Sequence, residues 1–523
     1  LDEIHILDGT PRGDQLRLVL ERIDRRDGAS EDCPVQRIAA SATVSDPHGL
    51  AGRYLREAEV IEVGGRREIR ARAFDGSAPE ELAGHLEELA SAGFRKVLIF
   101  CNSRKQVEQV ASGLRGRTPF GDKVFPHHGS LARALRERTE RQVLDAPAAV
   151  CVATMTMELG IDIGTVDYVL LAAVPASVSS LLQRMGRGSR RGDQVRVGYA
   201  CATEGERILY RVLFSRGAAG DLCAAPYAFR PGVLVQQALV ISGSRGWVTA
   251  EELSAVLPAA LREKLPGAAV EEILEAMEEA ELIERQGGGR YVLSEGQDRR
   301  YQRGVLHSNL ESEPQMTVID RITGDAIGVV GGELEERDLR IGGSARRLAH
   351  RDRERLLTDA GRGGDAARFA TRGFAGVSLA LARRVAEELG AAESRILERR
   401  SPEGTILLHG LGTAGAFLLE HCLGMTGRSG KITKVTPYTL RISKEIAELP
   451  RPAEADVAAV VSGREKELAR SSALGPYHRH LPPKLRTAAL RAASGLDLAA
   501  EWLQSAGLER HDDEPAPRAW EAV

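Results

Sequence analysis

The sequence predicts an α/β protein: a parallel-sheet front half, then a module of three helices and a hairpin, a strand-rich region and a helical tail. Three observations predict it. Aliphatic runs such as Lys96–Phe100 and Val169–Ala172 alternate with helical stretches, the pattern of βαβ units and a parallel sheet. Near residue 230 that alternation stops, and helical periodicity leads into a glycine-centred hairpin. Short strands dominate beyond about residue 301, and polar helical segments beyond about 441.

In chain order, a strand ends at Leu1, Gln15–Ile23 is helical, and Val35–Ala42 and Val60–Val63 read as short buried strands. Ala83–Ala92, Lys105–Leu114 and Ala132–Leu144 are helices; Lys96–Phe100, Ala148–Ala153 and Val169–Ala172 are strands. Such sheets hold ligands at the carboxyl ends of their strands. Val233–Ile241 is a helix, and Thr249-Ala250-Glu251-Glu252 is a capping box in which hydroxyl and carboxylate satisfy free backbone donors. A third helix, Ala269–Ala280, precedes Leu282–Gln286, three glycines and Arg290–Leu293, which read as a hairpin. This is the order of a winged helix, a helix-turn-helix relative that docks on nucleic acid or packs against protein. Farther on, Met316–Asp320 and Ala326–Val330 flank a turn at Thr323-Gly324-Asp325, Gly361–Gly364 is a loop, Ala380–Leu389 a helix and Thr405–Leu408 a strand.

Composition bounds the function. The 523 residues leave room for several domains, and 43% hydrophobic with 28% charged residues fits a globular chain. The longest apolar runs, such as Val169–Val174, are far short of the ~20 residues that a membrane span needs. No charged-then-apolar leader opens the sequence, which starts at Leu1. A net charge of −3 excludes a uniformly basic nucleic-acid coat but not a local basic groove. Six cysteines, none in a C-x-x-C pair, argue against a disulfide scaffold or zinc ribbon and suit a reducing cytoplasm.

The chemistry is concentrated in five short segments. In Asp2-Glu3-Ile4-His5, an aspartate at a strand end can hold Mg²⁺ through water, and the adjacent glutamate can polarise a water for attack on a phosphate. Two acids in four residues are common in loops, so the weight lies in the segments downstream. Ser41-Ala42-Thr43 ends the next strand and brings hydroxyls toward the same sheet edge. His127-His128-Gly129-Ser130 precedes an arginine-rich helix, and no neighbouring acid or cysteine in sequence completes a metal set. Thr154 ends a strand and leads into Glu158-Leu159-Gly160-Ile161-Asp162, where glycine permits close backbone approach. Gln183-Arg184-Met185-Gly186-Arg187-Gly188-Ser189-Arg190-Arg191 sets guanidiniums beside glycines. A solvated arginine run is the ordinary reading; the glycines and the flanking sheet favour arginines aimed at phosphate.

In order and spacing these residues resemble the motor of superfamily 2 helicases. Asp2–His5 resembles motif II, Ser41–Thr43 motif III, Phe100-Cys101-Asn102-Ser103-Arg104 motif IV, Thr154–Asp162 motif V and Gln183–Arg191 motif VI. The strings HHGSL, ATMTMELGIDIG and SLLQRMGRGSRR resemble the large helicase-related (Lhr) family in particular. The resemblance covers residues 1–220 strongly, extends into the winged helix and fades beyond 300. It implies the end of a first RecA-like domain over 1–70 and a second over 71–228. A winged helix over 229–300, a β-rich accessory domain over 301–440 and a helical region over 441–523 would come after them.

The resemblance implies ATP and Mg²⁺ as cofactors, 3′-to-5′ movement on single-stranded DNA, and unwinding of DNA or RNA–DNA duplexes in repair. Cysteine usage and the short apolar runs lead to the expectation of a cytoplasmic protein with no membrane partner. Asp2 would hold Mg²⁺ through water and Glu3 would activate the attacking water. Arg187 and Arg190 would reach the γ-phosphate, while Gly160, Asp162 and Gln183 would serve the nucleotide. Ser41 and Thr43 would couple hydrolysis to closure, and Ser103, Arg104, Gly129 and Thr154 would touch the strand backbone. Ser189 stands where the family usually has glycine, which leaves Arg190 and Arg191 both open as the second arginine finger. An RNA helicase with the same motor is the alternative, because contacts to phosphate carry little base information.

One expected part is absent from the sequence. A helicase motor needs the phosphate loop G-x-x-x-x-G-K-[ST], and the nearest string, Gly424–Ile432, has Met425 and Ile432 at required positions. The expectation is a chain cut before motif II, inactive by itself, whose alternative role is nucleic-acid binding without catalysis. Gly410-Leu411-Gly412-Thr413-Ala414-Gly415 matches the dinucleotide fingerprint, yet Thr426–Thr436 supplies no acid to complete it. Tyr477-His478-Arg479-His480 reads as a surface loop. Trp247 reads as a core residue, with base stacking as the rival role.

Overall fold

The computed structural model describes residues 1–26, 35–63, 68–157, 166–188, 194–309, 315–331, 338–352, 354–361, 365–367, 376–426, 430–511 and 516–523. They form two compact units: Leu1–Glu62 with Ala224–Glu311 and Gly373–Ala516, and Val63–Cys223 with Ser312–Arg372 and Pro517–Val523.

The second unit carries the parallel sheet that the aliphatic runs predict. Strands β1 (Glu68–Asp75), β2 (Lys96–Phe100), β3 (Val124–His127), β4 (Ala149–Ala153), β5 (Tyr168–Leu171) and β6 (Gln194–Cys201) lie in the order β1-β6-β5-β2-β4-β3. Every neighbouring pair is parallel. Leu82, Leu86, Ile99, Val107 and Val152 belong to one buried cluster that joins helices to sheet. Helices start where a hydroxyl meets a free amide: Ser103 caps Arg104–Leu114, Ser177 caps Val178–Met185, and Thr203 caps Glu204–Ala219, each cap contributing about 1 kcal/mol.

Two sequence expectations in the first unit are corrected. Val35–Ala42 is extended rather than a buried strand; Ile38 is 69% exposed, and pairing shrinks to one parallel bridge between Asp2 and Ala40. Among the described residues no further strand flanks that bridge, so the apolar run has no sheet to enter. Val60–Val63 is likewise no strand, with Ile61 and Val63 exposed where the chain passes from one unit to the other.

The predicted three-helix module forms in the first unit. Helices Gly232–Arg245, Ala250–Ala255 and Gly267–Glu279 pack with an antiparallel hairpin, β7 (Ile283–Gln286) and β8 (Arg290–Leu293). Leu239, Leu253, Ile273, Met277 and Tyr291 fill its core, joined by Leu18 from helix Pro11–Arg26. The capping box closes as expected: the Glu252 amide donates to Thr249 Oγ1 at 3.2 Å and the Thr249 amide to Glu252 Oε2 at 3.1 Å.

The strand-rich region is two sheets, one in each unit. In the second unit, β9 (Gln315–Asp320), β10 (Ala326–Gly331), β11 (Asp338–Ile341), β12 (Ser344–Arg351), β13 (Arg355–Ala360) and β14 (Asp365–Ala366) take the order β10-β9-β13-β12-β11-β14. In the first unit, β15 (Arg395–Ser401), β16 (Gly404–Leu408), β17 (Ile432–Val435), β18 (Thr439–Ile442) and β19 (Gly507–Arg510) take the order β17-β18-β16-β15-β19. The tail expected to be helical therefore supplies β19, which pairs in parallel with β15. A linear division at 440 misses this, because the partners lie more than a hundred residues apart. Helix Arg518–Ala522 returns to the second unit, where an added Cβ on Gly205 would meet the Ala522 carbonyl oxygen at 2.2 Å. Among the described residues no helix is long and apolar enough to cross a membrane.

Candidate functional site

The first unit holds Asp2, Glu3, Ser41 and Thr43. Asp2 pairs with Ala40, and the Ala40 amide donates to the Leu1 carbonyl at 2.9 Å, which sets Ser41 at the end of the same short pairing. Glu3 is in the left-handed region, φ 50°, and turns the chain into a short helical turn whose Ile4 is buried with Leu50 and Tyr54. That turn brings His5 Nδ1 into hydrogen-bonding contact with Ser41 Oγ and to 3.5 Å from Glu3 Oε2. Burial disfavours the imidazolium and holds His5 below its usual pKa, although Glu3 pulls the other way. Glu3 Oε2 is buried and has no hydrogen-bond partner. An acceptor left so is costly unless something fills its lone pairs, which suits a group that must meet a water.

Behind this segment lies a charged cluster that sequence reasoning missed. Asp14 is fully buried, accepts from Tyr227 Oη and, at 3.0 Å, from the Arg230 amide, and lies 3.7 Å from Arg17. Arg53 grips Asp8 through two bonds of 2.9 and 2.6 Å, with its guanidinium over the Tyr227 ring. Burial pushes the Asp14 carboxyl up to about 6 despite these cationic neighbours. The cluster ties the helix after motif II to the chain entering the winged helix. No local pattern signals it, because Asp14 and Tyr227 are 213 positions apart.

In the second unit, three parallel strands bring the expected strand-contacting residues to one edge. Phe100 and His127, at the ends of β2 and β3, both pair with Ala153 at the end of β4. Ser103 caps the helix after β2, accepting from the Gln106 amide at 3.1 Å, and Arg104 donates to Ser130 Oγ at 2.7 Å. Gly129 is exposed; Thr154 is buried, its amide donating to the His127 carbonyl at 3.3 Å.

Motif VI begins on helix Val178–Met185. Gln183 Nε2 donates to Ser179 Oγ at 3.3 Å, and Arg187, half-buried, lies just past the helix end. Arg184 is not part of a solvated run. It is buried, donates to Asn102 Oδ1 at 3.0 Å and lies over the Phe100 ring, while Asn102 Nδ2 donates to the Val174 carbonyl at 2.7 Å. Motifs IV and VI are thus braced together through a residue to which the sequence motif assigns no role. Gly160, Asp162, Ser189, Arg190 and Arg191 lie outside the described residues.

Other motifs resolve plainly. His127 and His128 do have acidic partners, each at 2.9 Å: Glu140 on the helix that follows them, Arg133–Asp145, and Glu108 on the earlier helix Arg104–Leu114. Among the described residues no group of three or more potential ligands gathers to hold a metal. The Gly410–Gly415 strand-turn-helix forms, but β16 is antiparallel to both its neighbours, so no βαβ dinucleotide unit results. Tyr477 and His478 are buried rather than on a surface loop, because the helix beginning at Gly232 packs directly against them. Trp247 is half-buried beneath the Arg290 guanidinium, 4.5 Å from its ring centre.

Comparison with known proteins agrees with this geometry. Residues 80–192 match the helicase conserved C-terminal domain. The ATP-dependent helicase Lhr-Core of Methanothermobacter thermautotrophicus is 33% identical over 211 residues, 36% of this chain and 24% of the relative. Its namesake from Methanocaldococcus jannaschii is 34% identical over 205 residues, 36% of this chain and 23% of the relative. The chain thus spans about a quarter of the length of the curated relatives it matches. The solved structure of Mycobacterium smegmatis helicase Lhr, bound to ssDNA and AMP-PNP, superposes with a TM-score of 0.68 at 18% identity, covering 100% of this chain and 79% of that one. The DUF1998 helicase MrfA bound to DNA gives 0.53 at 15% identity, covering 95% and 74%.

Motif order, matched domain and fold point the same way: the chain is similar to superfamily 2 helicases. Within that class it resembles the Lhr proteins.

Proposed function

We propose that this chain forms part of an ATP-dependent helicase or translocase that moves 3′ to 5′ on single-stranded DNA and opens DNA or RNA–DNA duplexes in repair, in the cytoplasm. The observation that carries the reading is Glu3 Oε2, buried without a hydrogen bond 3.5 Å from the Nδ1 of a His5 that touches Ser41. An acceptor of this kind supports Glu3 as the group that polarises an attacking water. Asp2, exposed next to it, would hold Mg²⁺ through water, and the ion with ATP would supply neutralisation of phosphate charge. His5 would pass the state of that site to Ser41 and Thr43. Arg187 and Arg190 would stabilise charge on the transferred phosphoryl group, with Gly160, Asp162 and Gln183 contributing to the nucleotide's surroundings. Ser103, Arg104, Gly129 and Thr154 would hold the backbone of one strand.

The 523 residues contain no G-x-x-x-x-G-K-[ST] segment, and we infer that this polypeptide alone binds strand without turning over ATP. The test is fluorescence anisotropy of the purified chain with labelled single-stranded DNA and RNA over a range of salt, alongside phosphate release. Salt-dependent DNA binding without turnover is expected. Strand-stimulated phosphate release would overturn the inference of no turnover, and binding indifferent to salt would overturn the grip on strand backbone. Tighter binding of RNA than of DNA would favour the RNA helicase reading.

A further inference from the structure

Of His127 to Ser130, only Gly129 is exposed. The segment is held on both sides by the sheet β9–β14, from strands roughly two hundred residues further along the chain. On one side, the fully buried carboxylate of Glu108 takes His128 Nε2 at 2.9 Å and the amides of Gly342 and Gly343 at 2.7 Å each. Those glycines form the two-residue turn between β11 and β12, with φ of +66° and +70°, the conformation a tight hairpin turn demands and glycine supplies. Both amides thereby face one carboxylate. On the other side, the edge strand β10 pairs with the residues after Gly129: the Val329 amide donates to the Ser130 carbonyl at 2.8 Å, and the Ala132 amide to the Ile327 carbonyl at 2.9 Å. Ser130 also receives Arg104.

A buried carboxylate is a poor way to gain stability, since well-packed apolar side chains do as well or better. Its use here is geometric: it takes an amide-rich turn and an imidazole at fixed angles and permits few other arrangements. We propose that Glu108 is a positioning residue, and that through it and β10 the β9–β14 sheet sets the shape of the His128–Ser130 segment, so that the Gly129 backbone and Arg104 meet the phosphates of a bound single strand. The inference rests on the strand-binding function proposed for this chain and deepens it by giving the accessory sheet a share in strand grip.

Two variants reach the segment from opposite sides without altering any residue assigned to strand contact. Glu108→Gln is near-isosteric but leaves one oxygen to serve three donors. Gly328→Ala acts from the sheet, because a Cβ there would lie 2.4 Å from the Ser130 carbonyl oxygen. Each is measured in the full 523-residue chain by anisotropy with a labelled oligothymidylate over a salt series, well below the thermal transition recorded for the same sample; Arg104→Ala is the reference. Expected is an affinity loss of about tenfold in both variants, with the salt slope reduced by about 0.7, the value for one phosphate contact on a single strand. A merely structural role would lower the thermal transition and leave the slope alone. Unchanged affinity and slope in both, with Arg104→Ala weakened, would overturn this proposal and spare the strand-binding function. No strand binding by the unaltered chain would overturn both. If Gly328→Ala does not fold, Glu108→Gln decides by itself.

Discussion

Replacing Asp14 with asparagine should change how the first unit's stability responds to pH. Asp14 is fully buried, and burial pushes its carboxyl up to about 6 against the pull of Tyr227, Arg230 and Arg17. An unfolded aspartate titrates near ~3.9. Between those values the folded state holds more protons than the unfolded one, so the group's contribution to stability grows as pH falls through about 6 and levels off below about 4. The interval is roughly two pH units, or about 3 kcal/mol in full, of which about 1 kcal/mol develops between pH 7 and pH 5. Asparagine has no such dependence. The stability of Asp14→Asn relative to the unaltered chain should therefore fall by about 1 kcal/mol from pH 7 to pH 5. Urea unfolding monitored by tryptophan fluorescence reads this, since Trp247 and Trp502 both lie in the first unit. Buried His409 and His478, held down at about 3 and about 4, act in the opposite sense, losing stability as pH drops below the usual histidine range. They are common to both proteins and cancel in the difference. A difference that stays flat over the window, or a variant that gains on the unaltered chain in acid, would refute a carboxyl raised to about 6 by burial.

Three further outcomes are expected. Glu3→Gln, made in a protein that joins these residues to a phosphate loop, should lose ATP turnover while nucleotide binding persists; normal phosphate release would remove Glu3 from the role of base. Arg104→Ala should weaken single-strand binding about equally for all sequences and lower the salt slope by about 0.7; a loss confined to some base sequences would mean that it reads bases. Arg184→Ala should remove the hydrogen bond to the exposed Asn102 Oδ1 and the guanidinium over Phe100 and destabilise the second unit by about 1 kcal/mol. An unshifted unfolding midpoint in that variant would show that the brace between motifs IV and VI carries no energy.

How much of the fold was legible in the sequence depends on the range of the interactions. β2, β4 and β5 read correctly because a strand buried on both faces is apolar at nearly every position, as in Lys96–Phe100 and Tyr168–Leu171. The capping box at Thr249 read correctly because its two partners are three residues apart. β1 did not, because as an edge strand it carries Arg70 and Arg72 and stays largely exposed. Val35–Ala42 misled for the converse reason: it has the composition of a buried strand, and among the described residues no sheet flanks it. The candidate site divides the same way. The positions of Glu3, Ser41, Ser103 and Arg104 at strand ends and helix starts come from local sequence. His5 meeting Ser41 does not, nor do Arg184 bracing Asn102 and Glu108 holding a turn 234 residues away.

Those missed residues share a property that bears on how such a motor would work. Each is polar, little exposed or partnered inside a fold; His5 and Arg184 fall within motif segments, yet the motifs give neither a role. Residues expected to contact phosphate lie at strand ends and helix starts along one edge, so spacing betrays them. Residues that transmit a change of state must be enclosed, because a bond solvent can replace transmits little. His5, Asp14, Glu108 and Arg184 are enclosed in this sense. Substituting them should alter affinity, salt slope or pH response more than it alters the chemistry at phosphate.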